Sequence, residues 1–128
     1  MIVIYGIDEK LNPIKAKLSD VIHGCMMSVL GMPEEKRAHR FMPMAKEDFY
    51  YPGGRTDAYT VIEINMMAGR QVATQKKLIK TLFNEIREKL AISPIDIEIV
   101  IKEQPAHCWG FRGMTGDEAN DLKYKVNV

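Results

Sequence analysis

Hydrophobic positions in the first part of the chain change from strand-like to helix-like spacing. IVIYGI, at 2–7, is rich in β-branched residues and predicts a strand. Between residues 14 and 30 the apolar positions recur every three or four residues, which predicts a helix with one buried face. Asn12-Pro13 is typical of a helix start, and Gly31 of a helix end. A weakly patterned extended segment follows at 37–45.

The second part of the chain repeats this order after a polar loop at 46–58. The pattern predicts a strand at 59–67, a helix over 72–90 and an alternating strand at 96–103. The tail carries Thr115 and Glu118 at capping-box spacing, which predicts a short helix over 116–122.

These elements indicate a duplicated β-α-β unit within one α/β domain spanning 1–128. The halves are about 1–45 and 58–104, followed by a C-terminal tail at 105–128. Crossovers of this length usually join parallel strands, so we predict a four-stranded sheet with both helices on one face. The other face mixes polar and apolar side chains, which indicates either a wet surface or packing against a second subunit. Its predicted members are Val61, Glu63, Asn65, Asp96, Glu98 and Val100.

Composition narrows the class of protein. The net charge of +1 argues against nucleic acid as a partner, because phosphate binders usually carry a basic excess. The apolar runs are too short to predict a membrane span. Cys25 and Cys108 do not form a disulfide framework, so we expect a reducing, cytoplasmic compartment. His107-Cys108 has no second ligand pair at usable spacing, and we expect neither a metal nor a cofactor.

Three stretches together resemble the tautomerase superfamily, and most closely its malonate semialdehyde decarboxylase branch. They are HGCMMSVLGMP (23–33), AGRQVATQKKLIKTL (68–82) followed by ISPIDI (92–97), and WGFRG (109–113). The resemblance covers about the whole chain. It implies a tautomerase-like homotrimer with clefts between subunits. It also implies chemistry on small keto or enol carboxylic acids, either enol–keto tautomerisation or β-keto acid decarboxylation.

The chain departs from this family at its amino terminus. Enzymes of the family lose the initiator Met and use an N-terminal proline as acid or base, whereas residue 2 here is Ile2, whose bulk favours retention of Met1. The candidate base is therefore the α-amine of Met1, with Ile2 beside it in the pocket; the alternative is that Met1 plugs the site. Lys36 stands where the decarboxylase has an aspartate.

Four further residues are candidates for binding the substrate. Arg70 follows a strand and precedes a helix, which suits a carboxylate clamp, although a solvated loop arginine is the alternative. Arg55, in PGGRTD, lines the pocket; the alternatives are that it is a turn residue or that it pairs with Asp57. Trp109 and Arg112 wall the pocket or dock the tail against a neighbouring subunit, and we favour docking.

Two functions other than catalysis stay open at this point. The first is a non-catalytic trimer that binds small carboxylates and has lost the base. The second is a regulatory ligand-binding module on a ferredoxin-like sheet, whose strand order would be antiparallel.

Overall fold

The computed structural model describes all 128 residues and has the α/β architecture that the sequence predicts. Its strands are β1 (Ile2–Ile7), β2 (His39–Met44), β3 (Thr60–Met67), β4 (Ile97–Gln104), β5 (Gly110–Phe111) and β6 (Met114–Thr115). Its α-helices are α1 (Asp8–Leu11), α2 (Lys15–Leu30) and α3 (Val72–Leu90). None of these helices is long and apolar enough to span a bilayer.

The four long strands form one sheet in the order β2-β1-β3-β4. Within each half the strands are parallel, as the crossover rule predicts, and the halves meet where β1 runs antiparallel to β3. A ferredoxin-like sheet has antiparallel neighbours throughout, so this topology excludes the regulatory-module hypothesis. The register places Ile2, the first residue of β1, opposite His39, the first residue of β2.

Both long helices pack on the same face of the sheet, as predicted. Their apolar stripes and the inward side chains of β1 and β3 form a single hydrophobic core. Fully buried members of this core are Ile4, Leu18, Ile22, Ile62, Ile64, Leu78, Leu82 and Ile86. The left-handed backbone of Gly31, with a φ of 69°, ends α2 where the sequence predicts it.

Two local predictions in the first half and on the sheet are wrong. The segment after β1 forms the one-turn helix α1, so Asn12 caps the end of that helix and α2 begins at Lys15 rather than at the predicted start, Asn12-Pro13. Asp96 lies in a 3₁₀ turn before β4 rather than on the open sheet face. Its buried carboxylate accepts hydrogen bonds from the Thr56 amide (2.8 Å) and hydroxyl (2.7 Å), which fixes the polar loop to the sheet.

The predicted tail helix over 116–122 is also wrong, because only a single turn follows the small β5–β6 hairpin. Arg112 and Gly113 form its two-residue turn, and both have positive φ (53° and 78°), as a type I′ turn requires. The Thr115 amide does donate to the Glu118 carboxylate (3.1 Å), but this contact closes only a single turn.

Candidate functional site

A cavity of about 450 Å³ opens where β1 begins and β3 ends. The carboxyl-terminal half of α2, the loop before β2 and the tail close its sides. Residues from all of these segments line it, among them Met1, His23, Lys36, Arg70, Trp109 and Tyr124. This volume suits a small ligand.

The amino terminus is held on the sheet beside this cavity. The Met1 α-amine donates to the Asn65 carbonyl (2.9 Å), and the Asn65 amide donates back to the Met1 carbonyl (2.9 Å). Burial lowers the pKa of the amine below its ordinary value, and the positive charges of Lys36, Arg40 and Arg70 lower it further. The terminus is therefore fixed in place, and a larger share of its amine is neutral at pH 7 than in a free chain.

Arg70 is a buried cation at the other side of the opening. Its side chain follows β3 and is 7% exposed, and its Nη1 donates to the Met67 carbonyl (3.0 Å). Its Nε is buried without a hydrogen-bond partner, and no carboxylate forms an ion pair with it. Burial lowers its pKa, but a guanidinium keeps its charge in a protein. An unpaired buried charge is unfavourable, so this group is suited to bind an anion.

His39 also lines the cavity, and the sequence reasoning missed it. Its Nδ1 lies 2.8 Å from the Ser19 hydroxyl of α2. Burial lowers the pKa of His39 to about 4, with further contributions from His23, Arg37 and the amino terminus. The ring is therefore neutral at pH 7. The sequence analysis did not single out this residue; the crossover between parallel strands, which brings the first residue of β2 beside that of β1, is the feature that identifies it.

The other predicted site residues lie in different places. Ile2 and Trp109 line the cavity with Met1 and Arg70. Arg55 precedes β3 whereas Arg70 follows it, so the two arginines lie at opposite ends of a strand about 25 Å long. Arg112 lies outside the cavity and forms a two-bond ion pair with Asp121 (2.8 and 2.9 Å), which lowers the pKa of that carboxyl to about 2. Arg112 therefore joins two parts of the tail, the hairpin turn and the segment at Asp121.

No group of three or more His, Cys, Asp or Glu residues comes together to hold a metal ion. The cavity does bring together a terminal amine, a neutral imidazole and a buried guanidinium, and Lys36 and Arg40 also line it. These groups can hold a carboxylate, donate a hydrogen bond to an oxygen and move a proton.

Comparison with known proteins places the chain in a family. A family model described as tautomerase enzyme matches residues 36–112, more than half of the chain. The chain therefore belongs to the tautomerase superfamily.

Solved structures share the fold along nearly the whole chain. Malonate semialdehyde decarboxylase superposes with a TM-score of 0.84 at 20% identity, over 95% of this chain and 98% of that chain. A fused 4-OT, described as an asymmetric trimer, gives 0.80 at 24% identity over 91% and 96%. N1, a member of the cis-3-chloroacrylic acid dehalogenase family, gives 0.78 at 13% identity over 89% and 81%.

Proposed function

We propose that the protein binds small 2-oxo or enol carboxylic acids in the Met1–Arg70 cavity and interconverts their enol and keto forms, or decarboxylates a β-keto acid. The observation that carries this proposal is the buried, unpaired guanidinium of Arg70 in a cavity that also holds the terminal amine. Family membership supports the reaction class, because the family model is described as tautomerase enzyme.

In the proposed tautomerisation Arg70 binds the substrate carboxylate and fixes its orientation. The neutral Met1 amine accepts the proton of the enol hydroxyl, and the resulting ammonium returns a proton to the neighbouring carbon. The products are the keto acid and the regenerated amine, so no cofactor is required. In a decarboxylation the bond to the carboxyl carbon would break instead, and the enolate left after loss of CO₂ would take a proton from the ammonium form of the Met1 terminus, which water then reprotonates.

The test is the binding and turnover of phenylpyruvate. Arg70→Ala removes a charge-assisted contact in a desolvated site, for which losses of about 2–5 kcal/mol are typical, so affinity should fall tenfold or more. Arg87→Ala is the matched control, since Arg87 is exposed near the end of α3 and remote in sequence from the cavity residues. Equal binding by wild type and Arg70→Ala would place the anion site elsewhere.

The second candidate is a carboxylate-binding protein without catalytic activity. The observation that favours it is Ile2 at the position after Met1, where the family's enzymes carry their catalytic proline. This protein would bind phenylpyruvate through Arg70 but would not accelerate its ketonisation. Turnover measured beside affinity therefore separates the two candidates.

We further propose that the protein is a homotrimer, since the fused 4-OT that shares its fold is described as a trimer.

Cys25 and Cys108 are free thiols, and their state suits a reducing compartment such as the cytoplasm.

A further inference from the structure

The proposed reaction leaves one well-positioned group of the cavity unused, which is the imidazole of His39. Its ring is fixed through Nδ1, which is the ring nitrogen of His39 that makes a hydrogen bond within the chain. Ile2 lies opposite His39 in the register, so the ring is adjacent to the amino terminus.

We propose that His39 is a catalytic residue that donates its Nε2–H to the keto or enolate oxygen of a 2-oxo acid whose carboxylate lies on Arg70. This inference rests on the proposed function and identifies the group that distinguishes a 2-oxo acid from a simple carboxylic acid.

The partners of Ser19 favour one tautomer of His39. The hydroxyl oxygen of Ser19 accepts a hydrogen bond from Arg37 Nη1 (3.4 Å), which leaves the hydroxyl proton available for His39 Nδ1 (2.8 Å). When Nδ1 accepts a hydrogen bond from that hydroxyl, a neutral imidazole carries its own proton on Nε2. Arg37 is held in turn by Asp20 at 2.6 Å.

Burial, and then the charges around the ring, keep it neutral. The groups that act on it are His23 from α2, Arg37 from the loop before β2 and the terminal amine from β1, and each disfavours a second positive charge. Lys36 and Arg70 line the same cavity and add positive charge. The imidazole therefore acts as a hydrogen-bond donor rather than as a base at neutral pH.

A neutral donor has a defined catalytic use. Negative charge develops on the substrate oxygen as the enolate forms, and a donor already fixed in a partly desolvated site stabilises that charge. Removal of one such donor typically lowers kcat by about 10²–10³-fold.

The experiment compares two acids that differ in one oxygen. Phenylpyruvate carries a carboxylate and a 2-oxo group, whereas 3-phenylpropionate carries the carboxylate alone. We expect His39→Leu to lower kcat for phenylpyruvate about 100-fold and to leave the affinity for 3-phenylpropionate within about twofold. His39→Gln should recover part of kcat, because its amide can donate from a similar position. His107→Leu is the control, since His107 is exposed outside the cavity.

The outcomes separate this inference from the proposed function. Binding of neither acid by the wild type would overturn the carboxylate site and the role of His39 with it. If the wild type binds both acids and Arg70→Ala lowers the affinity for both, the carboxylate site is supported. In that case an unchanged kcat in His39→Leu, or an equal loss of affinity for both acids, overturns the role of His39 alone.

The tautomer gives a second test that does not depend on turnover, and its first measurement uses the wild type alone. Nitrogen-15 NMR of the wild type should show His39 neutral at pH 6 with its proton on Nε2. Ser19→Ala should shift part of the population to the Nδ1–H form, because Ser19 positions the ring. A ring protonated on Nδ1 in the wild type, or charged at pH 6, would contradict the proposal.

Discussion

At the scale of single residues, the cavity places two titratable groups, the Met1 amine and the His39 imidazole, close to the guanidinium of Arg70. The charge of Arg70 is fixed, so the groups that can respond are the Met1 amine and His39, and the pKa of each is lowered. The positive charges of Arg70 and Lys36 remain and no carboxylate side chain lines the cavity, so the entry of a carboxylate is favoured.

The lowered pKa of His39 predicts a pH dependence of stability. The unfolded chain binds a proton near its ordinary pKa of 6.5, whereas the folded chain binds it only near 4, so the free energy of unfolding should fall as pH decreases from 6.5 to 4 and then level off. Denaturant midpoints of wild type and His39→Gln across this range measure the effect. The variant should show a shallower decrease; parallel curves would contradict the assignment.

A second residue-scale prediction concerns the missing proline. Ile2→Pro should allow removal of Met1, and the new terminal amine would take the place of the Ile2 amide, which donates to the Ala38 carbonyl (2.9 Å). If the cavity is otherwise intact, phenylpyruvate ketonisation should rise, since general-base catalysis is typically worth about 10²–10⁴-fold. Mass spectrometry must first confirm that Met1 is absent. No gain in a folded, processed variant would favour the non-catalytic binder.

The sequence predicted part of the site for a clear reason. Met1 and Arg70 lie at a strand start and a strand end, and the family resemblance connects these positions. Arg55 was harder to place because both arginines flank the same strand, and only the fold shows that they flank opposite ends. His39 was missed because its neighbours come from α2 and β1. The spacing of residues along the sequence does not predict how β2 aligns with these elements.

At the scale of elements, helix α3 shows how completely a strong periodic pattern determines a structure. Its observed bounds equal the predicted ones, and its inward residues are buried. Elements that are short or weakly patterned in the sequence were less predictable. Helix α1 has only four residues, and the tail pattern that suggested a helix is used for a single turn beside a hairpin.

The stripe of α3 allows a quantitative test. Leu82 is fully buried in the main core, so Leu82→Ala should lower the free energy of unfolding by about 2–5 kcal/mol through lost burial and a residual cavity. Val72 is 66% exposed at the start of the same helix, and Val72→Ala should change the free energy of unfolding by less than about 0.5 kcal/mol. Chemical denaturation measures both, and similar losses in the two variants would contradict the packing.

The tail has its own test at Gly116. A Cβ there would lie 2.4 Å from the Ala106 carbonyl and 3.1 Å from Trp109 Cβ, so Gly116→Ala should displace the tail from the cavity. Overpacking of this kind typically costs about 1–3 kcal/mol. Trp109 is the only tryptophan, and its fluorescence should shift to the red. Gly53→Ala is the control because a Cβ there meets nothing within 4 Å; an unchanged spectrum in Gly116→Ala would contradict the packing.

At the scale of the whole molecule, the sheet has one covered face and one partly open face. The two long helices cover the first, and the second presents Val100, 40% exposed, beside an ion pair between Lys102 and Glu63 that joins β4 to β3. An apolar residue and a neutralised charge pair on an open sheet suit contact with other copies of the chain. One chain lines the cavity with residues from several of its segments, and the expectation of clefts between subunits can be tested by separating assembly from binding.

The last prediction makes that separation. Light scattering should give a mass three times the 14.6 kDa of one chain, and Val100→Glu should lower it, because an unpaired carboxylate in a desolvated interface is strongly unfavourable. Val72→Glu places the same charge on the exposed face of α3 and should leave the mass unchanged. A wild-type monomer at micromolar concentration would overturn the trimer. If Val100→Glu is monomeric and still binds phenylpyruvate, then each chain holds a complete carboxylate site. Loss of binding with assembly would instead mean that a neighbouring copy supplies part of that site.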